Sequence, residues 1–130
     1  MNAKNGYWQL VVRDKFSAAH ALRHYQGKCE ALHGHNFGVE ICVRGDTLSQ
    51  PVEFLADFTE LKRTLKAALS FVDHKHLNEL PEFQTMNPSS ENLSRLIFRR
   101  LRPDIEKLGV SLVSVTVSES EKQSATYFEN

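Results

Sequence analysis

No stretch of this 130-residue chain approaches the roughly 18 consecutive apolar residues of a membrane-crossing helix. The opening Met1-Asn2-Ala3-Lys4-Asn5-Gly6 also lacks the apolar centre of a secretion signal, so a cytoplasmic protein with no membrane partner is expected. Charge of neither sign dominates. With 16 Lys and Arg against 16 Asp and Glu, no net field draws the chain to nucleic acid or anionic lipid, and a small-molecule partner is expected instead. Cysteine is scarce: Cys29 and Cys42 have no paired spacing, which fits reduced thiols better than a disulfide framework, with Cys42 a small structural hydrophobe. Repeats, low-complexity tracts and linkers are absent as well. A length of 130 residues is one domain's worth, so a single domain over residues 1–130 is expected.

What the chain does have is concentrated in Cys29-Glu30-Ala31-Leu32-His33-Gly34-His35, where a thiol, an acid and two imidazoles fall within seven residues. In a strand, alternate side chains share a face, so His33 and His35 project together with only Gly34 between them. Imidazole is a common zinc ligand, and a catalytic zinc usually takes three protein ligands and keeps one position open. His20 is the candidate third ligand, because Phe16, Ala18 and His20 share one face of a plausible neighbouring strand. His24 and His76 are read as solvated or structural.

Two strands are expected early in the chain. The first covers Tyr7 to Ala19 with a break near Arg13-Asp14-Lys15, and in the second Phe37, Val39, Ile41 and Val43 alternate with polar or small residues. His33 and His35 lie on the apolar side of the second strand, so the candidate metal site falls at one end of the core-facing surface. Asp57-Phe58-Thr59-Glu60 reads as a variant capping box opening a helix whose stripe is Phe58, Leu61, Leu65, Leu69 and Val72. Asn87-Pro88-Ser89-Ser90-Glu91 reads as a second helix start, with Pro103 limiting that helix. Val113, Val115, Val117 and Glu119 then share a strand face on which a carboxylate ends an apolar row, and Ala125 to Glu129 supply a fourth strand. The expected order is ββααββ, an α+β domain in which two helices cover one face of a four-stranded antiparallel sheet.

These residues together resemble the 6-pyruvoyl-tetrahydropterin synthase family, including its bacterial 6-carboxy-tetrahydropterin synthase branch. The resemblance runs from Phe16-Ser17-Ala18-Ala19-His20 through Cys29, His33-Gly34-His35-Asn36, Asp57-Phe58, Asp73-His74 and Asn87-Pro88-Ser89-Ser90-Glu91-Asn92 to Val115-Thr116-Val117-Ser118-Glu119-Ser120. It implies the tunnelling fold (T-fold), assembled as a homohexamer from two stacked trimers. It implies Zn2+ held by His20, His33 and His35, catalysis by Cys29 with Asp73 and His74, and Glu119 anchoring the pterin ring. Two departures stand out: Glu53 where the family often has Gly, and Phe37 where it often has Tyr.

The implied reaction is a zinc-dependent lyase reaction on 7,8-dihydroneopterin triphosphate. The three-residue gap between Cys29 and His33 resembles the branch that yields 6-carboxy-tetrahydropterin, acetaldehyde and triphosphate for queuosine or related deazapurine biosynthesis. The alternative is triphosphate elimination to 6-pyruvoyl-tetrahydropterin. Glu30, three residues before His33, also resembles a folate-linked branch, which implies a minor second activity giving 6-hydroxymethyl-dihydropterin. A non-enzyme reading remains beside these, a zinc-containing T-fold binding module that has lost activity.

Overall fold

The computed structural model describes residues 6–25 and 31–130. Burial alternates along Trp8–His20, with Val12, Phe16, Ala18 and His20 turned inward and Arg13 and Lys15 outward, and the whole run is one strand, β1. The break expected near Arg13-Asp14-Lys15 does not occur. Arg13 and Lys15 occupy the solvent side of a continuous ladder, where Arg13 meets Glu40 of the next strand at 2.7 Å. That strand, β2 (His33–Gly45), pairs antiparallel with β1 along its full length, setting Phe16 opposite Phe37 and His20 opposite His33.

Asp57 caps α1 (Phe58–Leu69) by accepting a hydrogen bond from the Thr59 N–H at 2.8 Å. Only that half of the capping box forms, because the Glu60 carboxylate pairs with Arg63 one turn on. Leu61, Leu65, Leu69 and Val72 are buried, while Phe58 at the helix start is half exposed. Just upstream, Glu53 has φ of 67°, so the position where a glycine was expected does take the left-handed conformation that glycine adopts most easily.

After α1 the chain adds a two-residue strand, β3 (Lys75–His76), parallel to β1 at Ala18 and Ala19. The sheet therefore has five strands in the order β3-β1-β2-β4-β5, not the four expected. A two-residue strand is too short to carry a periodic signal, which is why it could not be read from the sequence.

Ser89 caps α2 (Ser90–Glu106) by accepting from the Asn92 N–H at 3.2 Å. The helix passes through Pro103 rather than stopping there. Proline disrupts the turn preceding it, and here only one further turn follows, anchored by the buried Ile105. β4 (Ser111–Ser120) and β5 (Gln123–Phe128) complete the sheet. The β2–β4 register shifts between Cys42 and Val43, so that Leu112 rather than Val113 stands opposite Val43 and enters the core; Val115 and Val117 are buried as their alternation requires.

The buried apolar side chains form one cluster between the sheet and the helices, with α1 against β1 and α2 against β4 and β5. Among the described residues no helix is long and apolar enough to cross a membrane. The opposite face of the sheet carries Ser17, Asn36, Glu40, Cys42, Thr116 and Thr126, and is polar.

Candidate metal centre

The inward alternation of β1 and β2 ends in imidazoles. His20 closes β1, and His33 and His35 open β2 on the same face as Phe37, so the three rings meet where the apolar core runs out. Ring centroids are 4.6 Å apart for His20 and His33, 4.6 Å for His33 and His35, and 5.4 Å for His20 and His35. Glu119, at the end of the apolar row of β4, brings a carboxylate to the same point. One donor atom from each of these four residues lies within 4.8 Å of the other three.

Backbone carbonyls aim two of the rings. His20 Nδ1 lies 2.7 Å from the Pro88 carbonyl, and His33 Nδ1 lies 2.7 Å from the Ala31 carbonyl. A carbonyl can only accept, so each Nδ1 carries a proton, and in the neutral ring it is Nε2 that has the free lone pair. His20 Nε2 is buried and has no hydrogen-bond partner among the described residues, a costly state for a polar atom unless something electron-poor binds there. Burial also pushes the His20 imidazole below its ordinary pKa, outweighing the Pro88 carbonyl and Glu119, which act the other way. Imidazoles aimed by backbone acceptors at Nδ1 present Nε2 to a bound transition ion. The donor set therefore fits a metal ion, with nitrogen and carboxylate ligands suited to zinc.

Glu119 is held from two sides. Its Oε1 accepts from the Ser90 hydroxyl at 3.1 Å, at the first turn of α2, and its Oε2 lies 3.6 Å from His35 Nε2. Glu121 is exposed and takes no part.

The chain leaving His20 is gripped by side chains that imitate a strand. The Asn78 amide accepts from the Ala21 N–H at 2.8 Å and donates to the Ala21 carbonyl at 2.9 Å. Asn87 does the same two residues on, at 2.9 Å in both directions with Arg23. The Arg23 guanidinium is occupied with the Met86 and Asn78 carbonyls. Asn87-Pro88-Ser89-Ser90, read from sequence only as a helix start, thus fixes Arg23, His20, the α2 cap and Glu119 in turn. Nothing local announces those contacts, which reach back as far as 68 residues.

Asp73 and His74 sit elsewhere. Asp73 Oδ1 accepts from the Ser17 N–H at 3.0 Å and lies 3.1 Å from His74 Nδ1, while the His74 N–H donates to the Ser17 carbonyl at 2.6 Å. The Ser17 N–H, with His74 beside it, holds the Asp73 carboxyl below the usual range. His74, at a left-handed φ of 59°, is largely exposed and lines a groove with Ser17, Ala19, Asn36, His76 and His35 of the histidine cluster. Ser17 and Ala19 alternate with the buried Phe16, Ala18 and His20, so the groove opens on the polar face of the sheet and reaches His35 at its end. Cys29 and Glu30 lie outside the described residues.

A largely antiparallel sheet backed by two helices, with a three-histidine and one-carboxylate cluster that could hold a metal ion at one end of its core face, is the arrangement of a T-fold protein. The 6-pyruvoyl tetrahydropterin synthase family model matches residues 9–130. A 6-carboxy-5,6,7,8-tetrahydropterin synthase of Synechocystis is 35% identical over 126 residues, covering 93% of each chain. A dihydroneopterin monophosphate aldolase of Pyrococcus furiosus is 31% identical over 97 residues, covering 75% of this chain and 77% of that one. Among solved structures, the 6-pyruvoyl tetrahydropterin synthase of Caenorhabditis elegans superposes with a TM-score of 0.84 at 28% identity, over 96% of this chain and 97% of the other. The chain belongs to the 6-pyruvoyl tetrahydropterin synthase family, and it is an enzyme of the tetrahydropterin synthase kind, a lyase.

Proposed function

We propose that this protein is a zinc enzyme that converts 7,8-dihydroneopterin triphosphate to 6-carboxy-tetrahydropterin, releasing acetaldehyde and triphosphate, in the cytoplasm and on the way to a deazapurine such as queuosine. The observation that carries the reading is the meeting of the orphaned His20 Nε2, His33, His35 and Glu119 at one point. A divalent ion held there supplies Lewis-acid polarisation to the substrate's side-chain oxygens and makes the neighbouring C–H more acidic. The Glu119 carboxylate matches the adjacent ring N–H and exocyclic amine of a pterin, which it can accept together. Asp73 fixes the His74 ring for proton relay, and Cys29 is the thiol proposed to act with it.

His74 opens on the polar face of the sheet, in a groove that also reaches His35, and we assign its working partner to the site of a second copy of the chain. A homo-oligomer, taken here as a hexamer of two trimers, supplies that arrangement. The carboxy product is favoured by the likeness to the Synechocystis enzyme and by the short gap between Cys29 and His33.

The test is incubation of the zinc-loaded protein with 7,8-dihydroneopterin triphosphate, followed by mass analysis of the pterin and trapping of acetaldehyde. A carboxy-tetrahydropterin with stoichiometric acetaldehyde is expected, and a pyruvoyl product without acetaldehyde would replace this reading. The likeness to an aldolase, together with Glu30 beside Cys29, supports a minor hydroxymethyl-dihydropterin product. That product should persist in Cys29→Ala and vanish in Glu30→Ala. Its absence from both wild type and Cys29→Ala removes Glu30 from the chemistry.

A further inference from the structure

The cluster has one donor more than an open catalytic site calls for. Zinc bound by nitrogen and oxygen at about 2.0–2.2 Å in a tetrahedron sets its ligand atoms roughly 3.3–3.6 Å from one another. Glu119 Oε2 and His35 Nε2, at 3.6 Å, have that spacing, which is also too long for a direct hydrogen bond between them. The Ser90 hydroxyl occupies Oε1 and leaves Oε2 as the single oxygen turned to the histidines. Glu119 is set up as a monodentate ligand as much as an anchor for an organic ring.

We propose that Glu119 is the fourth metal ligand of the substrate-free enzyme and that an incoming pterin ring releases it. The second half rests on the pterin reading of the site given above. Four protein ligands close a zinc ion to solvent and to adventitious oxygen ligands, whereas Lewis-acid chemistry needs an open position. A ring that presents two N–H donors side by side competes for both carboxylate oxygens, Oε2 included. Glu119 would then turn from the ion to the ring and leave one coordination position open. With His20, His33, His35 and Glu119 all holding it, an ion would stay closed to a molecule that carries hydroxyls or phosphate without the ring. No bond to carbon forms or breaks in this exchange; one carboxylate changes partners.

The experiment uses the full-length oligomer loaded with cobalt(II), whose visible bands report coordination. Glu119→Gln should change the substrate-free spectrum and weaken zinc binding at least about tenfold, as loss of a metal-site group typically does. Glu119→Asp, one methylene shorter, should show the same direction of change and stands in if the Gln variant does not assemble. Addition of 7,8-dihydropterin, which has the ring and no side chain, should alter the wild-type cobalt spectrum and leave that of Glu119→Gln unmoved, with binding followed separately by calorimetry. Identical substrate-free spectra and zinc affinities in wild type and both variants would overturn Glu119 as a ligand. Dihydropterin that binds without moving the wild-type spectrum would overturn its release. A spectrum that depends on Glu119 in a protein that does not bind dihydropterin upholds the ligand and refutes the pterin reading instead.

Discussion

His20 shows how one residue can be legible in kind and illegible in setting. Its place on the inward face of β1, with His33 and His35 inward on β2, follows from alternation alone. That its Nδ1 would rest on the Pro88 carbonyl does not, because a contact across 68 residues leaves no local pattern. The setting has a consequence for pH. Burial lowers the imidazole's pKa from an unfolded value near 6.5, so the folded chain binds fewer protons than the unfolded chain below that value. The contribution of this residue is fully present above pH 6.5 and is lost as pH falls below it. The thermal midpoint of metal-free protein should therefore drop between pH 7 and pH 5, and His20→Gln, with no group to protonate, should flatten that slope. A midpoint equally sensitive to pH in the variant would show that His20 is not its source.

Among the elements, the long strands and both helices announce themselves through period 2 and period 3.6, and their caps through Asp57 and Ser89. What the sequence hides are the irregularities: the two-residue β3, the bulge that puts Leu112 in place of Val113, and the helical turn beyond Pro103. Each depends on a partner element rather than on its own residues. The Asn78 and Asn87 clamps belong with them, since a side chain doing the work of a strand has no strand pattern. Asn87→Ala should remove both hydrogen bonds to Arg23 and cost about 1–3 kcal/mol, the range expected when partly buried groups lose their partners. Because Pro88 follows directly, the same change should speed metal release, which a chelator-competition assay reads. Release at the wild-type rate with a lowered thermal midpoint would confine Asn87 to stability.

For the whole molecule, the layout of an α+β sheet covered by two helices was readable from element order, whereas the position of Asp73 and His74 was not. The resemblance pairs them with Cys29, which lies outside the described residues, while the structure sets them just before β3, held to Ser17 of β1 with His74 toward the polar face. The sheet also ends in open edges: β3 covers only Ala18 and Ala19 of β1, and β5 has no strand beyond it among the described residues. Such edges invite pairing with further copies. If each working centre combines the histidine cluster of one subunit with His74 of another, two inactive variants should rescue each other. His33→Ala and His74→Ala, each inert alone, should recover part of the wild-type rate when unfolded and reassembled together, and no recovery would show that every subunit uses its own His74. The two-sided sheet then bears on inheritance as well as on catalysis. A cell holding two different damaged alleles of this gene would be defective or nearly normal according to which side of the wall each lesion strikes. Lesions on opposite sides would compensate in the shared assembly, and lesions on the same side would not.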